Sequence, residues 1–75
     1  MPARLTVTVG TTVTWVNRGN NAHTTTSLSG AWDSGSLVRD EFFSYTFTEP
    51  GVYRYVCRQH LFQGMGGTIT VEAPP

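Results

Sequence analysis

The stretch Gly51-Val52-Tyr53-Arg54-Tyr55-Val56-Cys57-Arg58-Gln59-His60-Leu61-Phe62-Gln63-Gly64-Met65-Gly66-Gly67 changes character at its middle. Up to Cys57 it alternates, with Tyr53, Tyr55 and Cys57 on one face and Arg54 and Arg58 on the other, the two-residue period of a half-buried β-strand. Beyond Cys57 the alternation stops and Gly64, Gly66 and Gly67 mark a loop. A thiol, an imidazole and a thioether (Cys57, His60, Met65) thus fall within nine residues, at a strand end and in the loop that follows. A loop that short can wrap its side chains round one point.

The same period recurs on either side. Leu5, Val7 and Val9 alternate with Thr6 and Thr8, Val13 and Trp15 with Thr12 and Thr14, Phe43, Tyr45 and Phe47 with Ser44, Thr46 and Thr48, and Ile69 and Val71 with Thr68, Thr70 and Glu72. Turn signals separate these runs at Gly10, Arg18-Gly19-Asn20-Asn21, Ser29-Gly30, Ser34-Gly35 and Glu49-Pro50-Gly51. No window of helical length carries a 3.6-residue period. Short strands at such spacing predict an antiparallel β-sandwich or barrel. With no repeat or internal linker, residues 1–75 are expected to form one domain, with Ala73-Pro74-Pro75 a loose tail.

Composition narrows the function classes. Seventy-five residues, 39% apolar, make a thin core, to which a bound metal would add stability. Five arginines balance five acids and no run of like charge occurs, which argues against nucleic acid or an anionic membrane as partner. No segment approaches the roughly 20 apolar residues of a membrane helix. The start, MPARLTVTVG, lacks the pattern of a secretory signal, so none is expected in this chain. A single cysteine excludes an internal disulfide. Cys57 is therefore either inert or chemical.

A second imidazole, His23, follows the strand end Trp15-Val16-Asn17, where a sandwich could bring it over the Cys57 loop. Each residue has an ordinary reading: a buried apolar cysteine, a surface histidine, a methionine filling a gap. Their coincidence decides, because the only Cys, both His and the only Met besides the initiator complete one coordination set. Two imidazoles, a thiolate and a weak axial thioether make the blue-copper arrangement. The metal ligands are therefore predicted to be His23, Cys57, His60 and Met65, holding one type 1 copper ion.

The chain resembles the plastocyanin, amicyanin and pseudoazurin family of cupredoxins. The resemblance is carried by Gly10-Thr-Thr-Val-Thr-Trp-Val-Asn17, His23-Thr24, Asp33-Ser-Gly-Ser-Leu37, Phe43-Ser-Tyr-Thr-Phe47, Pro50-Gly-Val-Tyr-Arg-Tyr55 and Cys57-x2-His60-x4-Met65, which together span nearly the whole sequence. It implies an all-β fold, a Greek-key β-sandwich with copper at one end, and single-electron transfer between redox partner proteins. It also implies a periplasmic or otherwise extracytoplasmic location. Carried over by position, Cys57 is the thiolate that gives the blue colour, His23 the buried imidazole, His60 the imidazole nearer the surface and Met65 the axial thioether. Asn17 and Thr24 are candidates for hydrogen bonds that support these ligands. Leu61 and Phe62 make an apolar rim beside His60 where a partner would dock.

Two departures from the family qualify this. Relatives usually carry another strand before the segment Pro2–Val9, so the fold is expected to be shortened at the N-terminus, with an unpaired sheet edge through which two copies could associate. Val56 stands where plastocyanins commonly have an aromatic residue, which leaves His60 as the expected electron exit. An enzyme is not expected: two histidines already used as ligands cannot build a second copper centre. The remaining alternative is a copper carrier, or a structural module holding zinc on the same thiolate and imidazoles. Met65 argues against zinc, for which a thioether is of little use.

Overall fold

The computed structural model of the chain describes residues 4–57 and 66–74. Six strands follow in order: β1 Arg4–Thr8, β2 Thr12–Val16, β3 Thr26–Ser27, β4 Phe42–Thr46, β5 Gly51–Val56 and β6 Gly66–Glu72. Five of them are the alternating runs, whose inward positions supply most of the core, while Leu5, Val16, Phe42 and Val52 remain exposed. The exception is β3, two hydrogen-bonding residues with no apolar alternation to announce them.

The strands form two sheets. One has the order β1-β6-β5-β3, and the other is the pair β2-β4. β1 runs parallel to β6, with Leu5 opposite Ile69 and Val7 opposite Val71, while β5 runs antiparallel to β6 with Tyr53 opposite Ile69. In the smaller sheet Val13 faces Tyr45 and Trp15 faces Phe43. On its outer side hydroxyls pair across the strands, Thr12 with Thr46 at 2.7 Å and Thr14 with Ser44 at 2.8 Å. Among the described residues no third strand joins β2 or β4, so both outer edges of that pair stand without a strand partner.

Between the sheets lie Trp15, Trp32, Phe47, Tyr55, Ile69 and Val71, with Val7, Val9, Val13, Phe43, Tyr45 and Tyr53 packed against them. Most of this core is aromatic. Trp32 is its hub, its ring centroid 5.4 Å from Trp15, 5.1 Å from Tyr45 and 5.4 Å from Phe47. The indole N–H donates to the buried Thr25 hydroxyl at 3.0 Å, so the one polar atom of that ring is satisfied inside the core. Among the described residues every buried side-chain nitrogen and oxygen finds a partner.

Candidate metal centre

Strand β5 ends at Val56 and delivers Cys57, fully buried, to one end of the sandwich. The segment after β2 delivers His23 to the same place. Its position is set by backbone and by one side chain: His23 and Leu37 exchange both backbone hydrogen bonds, at 2.9 and 2.7 Å. Asn17, itself buried, donates from Nδ2 to the carbonyls of Asn21 at 2.8 Å and Leu37 at 2.7 Å, and its Oδ1 accepts from Gly19 N at 2.9 Å. One amide therefore ties two points of the turn that carries His23 to Leu37 on the facing segment.

The two side chains meet, with His23 Nδ1 3.6 Å from Cys57 Sγ. Metal bonds of about 2.0 Å to imidazole and 2.3 Å to thiolate, at an angle between tetrahedral and trigonal, need donors about 3.5–3.7 Å apart. The pair has that separation. Thr24 supplies a third contact: its backbone N–H donates to Cys57 Sγ at 3.4 Å. The Thr24 hydroxyl pairs with that of Thr26 at 3.0 Å. Among the described residues no further His, Cys, Asp or Glu joins His23 and Cys57. The two groups that meet are an imidazole nitrogen and a sulfur, donor types that suit copper.

Of the four ligands expected from sequence, the structure thus brings His23 and Cys57 together. His60 and Met65 lie outside the described residues, as do Leu61 and Phe62 of the expected docking rim. The supporting roles expected of Asn17 and Thr24 take different forms, since Asn17 braces the His23 turn whereas Thr24 reaches the sulfur through its backbone. Sequence reasoning passed over two contributors. Leu37, in the irregular stretch Gly35-Ser36-Leu37-Val38, gives no periodic signal, yet its backbone fixes His23.

The other is Gly66, where β6 begins opposite Val56. A Cβ there would run into the carbonyl oxygen of Tyr55 and lie 3.1 Å from Val56 Cα. Only glycine allows the strands to close beneath Cys57. Gly66→Ala is accordingly expected to destabilise the fold by on the order of 2–3 kcal/mol, read as a lower denaturant midpoint. An unchanged midpoint would contradict the close approach.

With this geometry the comparisons with known proteins agree. The copper binding proteins of the plastocyanin/azurin family match residues 1–72, and the chain belongs to that family. Amicyanin of Paracoccus denitrificans is 38% identical over 73 residues, covering 91% of this chain and 54% of the relative. Halocyanin of Natronomonas pharaonis is 41% identical over 76 residues, covering 95% of this chain and 47% of the relative. The chain therefore spans about half the length of these two relatives. Among solved structures, a purple cupredoxin from Nitrosopumilus maritimus superposes with a TM-score of 0.85 at 35% identity, over 95% of this chain and 79% of that one. The fold is a cupredoxin β-sandwich.

Proposed function

We propose that this chain transfers electrons one at a time between redox partner proteins through a single type 1 copper ion held by His23, Cys57, His60 and Met65. The observation that carries the reading is the His23 Nδ1 to Cys57 Sγ separation of 3.6 Å, set inside a buried frame of backbone hydrogen bonds. The bound ion would supply the Cu(I)/Cu(II) couple. The chain's own residues would limit the rearrangement between the two states, because a ligand frame already braced in the fold has little to reorganise. Asn17 and Leu37 brace the turn that carries the imidazole, the Thr24 N–H fixes the position of the sulfur, and burial of Cys57 keeps water from it. His60 and Met65 belong to the segment joining Cys57 to Gly66 and would complete the set, with partners docking at His60, Leu61 and Phe62.

Adding Cu(II) to the metal-free chain tests this by visible absorption and electron paramagnetic resonance. An intense thiolate-to-copper band is expected in the native chain and is lost in Cys57→Ser. Copper bound without such a band would sink the type 1 reading.

A further inference from the structure

Away from the core, the outer face of the larger sheet carries an arrangement that the copper reading does not use. Arg4 on β1 and Arg54 on β5 both stand in register with Thr68 of β6, which lies between them. The next row sets Thr6 of β1 and Val52 of β5 on either side of Thr70. Neighbouring strands lie about 4.8 Å apart, so the backbones of the two arginines are about 10 Å apart, a span that two arginine side chains close easily. Their guanidinium groups can converge over Thr68.

Among the described residues no acid offsets the charges of this row. Arg18 has Asp40 at 3.4 Å, and Arg39 donates to Asn20 Oδ1 at 3.1 Å, whereas neither Arg4 nor Arg54 has an ion-pair partner among the described residues. The acid nearest along β6 is Glu72, opposite Thr8, four residues and about 13 Å from Thr68. Arg4, Leu5, Thr6, Arg54, Thr68 and Thr70 line a groove of about 390 Å³. Its polar lining is two rigid forks of N–H donors and three hydroxyls, with no carboxylate among the lining residues.

We infer that this groove is a binding site for a doubly charged tetrahedral oxyanion of the phosphate class. Bidentate guanidinium contacts match two oxygens of such an anion, and the hydroxyls of Thr68 and Thr70 beneath supply donors for the others. A monovalent halide matches neither the forks nor the second row. The anion also relieves the repulsion between the two arginines. The volume exceeds that of a bare phosphate, so the anion arrives either free or as the head of a phosphomonoester. The site lies one two-residue step from the Val56–Gly66 pair, yet needs no metal to form.

The test is nuclear magnetic resonance of the full chain as purified, titrated at constant ionic strength with inorganic phosphate, phenyl phosphate or chloride. Saturable shifts of the Thr6, Thr68 and Thr70 amides are expected with both phosphates and not with chloride. Tighter binding of phenyl phosphate assigns the site to a phosphomonoester, and equal binding to the free anion. Arg4→Gln and Arg54→Gln are each expected to weaken binding about five- to tenfold. Arg39→Gln, which removes the same charge elsewhere, leaves it unchanged. Absence of saturable shifts, or equal loss in all three variants, overturns the inference. Because no copper is involved, that outcome would leave the proposed electron transfer untouched.

Discussion

Trp32→Ala is expected to lower the melting temperature by about 15 °C or more, or to leave the chain unfolded at 37 °C. Removing a buried indole costs about 3–5 kcal/mol. A 75-residue domain has roughly 4–11 kcal/mol in all, so the loss approaches the whole stability. The location aggravates it, since Trp32 touches rings from both sheets, Trp15 and Tyr45 on one side and Tyr53 and Tyr55 on the other. A void there uncouples the layers. Trp32→Phe separates the contributions, because it keeps most of the packing and forfeits the hydrogen bond to Thr25. Thermal melts followed by circular dichroism decide the matter, and an alanine variant melting within a few degrees of the native chain would refute the hub role.

The second large effect concerns the site rather than the core. Asn17→Ala deletes three hydrogen bonds at once and leaves the Leu37 carbonyl without its side-chain donor in a buried setting. A cost of about 2–3 kcal/mol in stability is expected. Loss of the brace should also release the His23 turn, so copper affinity is expected to fall about tenfold or more, in line with other groups that orient metal ligands. Asn17→Asp sharpens the test, because it keeps the acceptor for Gly19 but sets an oxygen against the two carbonyls. If both variants lose stability while copper affinity holds, Asn17 supports the fold without positioning His23.

Alternation made the strands legible because each sheet buries one face, so Val7 and Val9, Val13 and Trp15, Tyr53 and Tyr55, and Ile69 and Val71 announce themselves in pairs. Trp32 was not legible. It lies in an irregular segment between two glycine turns, where burial follows from the closing of the sandwich and not from a local period. The same holds for β3, whose Ser27 is buried by pairing with Tyr55 although its composition reads as a turn. For the site, Cys57 could be read from its place at a strand end, while His23 needed the fold to bring it across from a distant segment. Arg4 and Arg54 are fifty residues apart, and only the register through β6 shows that they share a row.

That register through β6 also governs how the protein comes into being. β1 leaves the ribosome first, yet its partner is the last strand of the sheet, so Leu5 and Val7 have no neighbour until residues 66–72 emerge. The β2–β4 ribbon can pair earlier, since both strands precede Pro50. The larger sheet cannot. Its completion is slow to arrive because it joins strands about sixty residues apart in sequence. Cys57 stands just before β6, so a nascent chain presents its thiol to the surroundings before the structure that buries it exists.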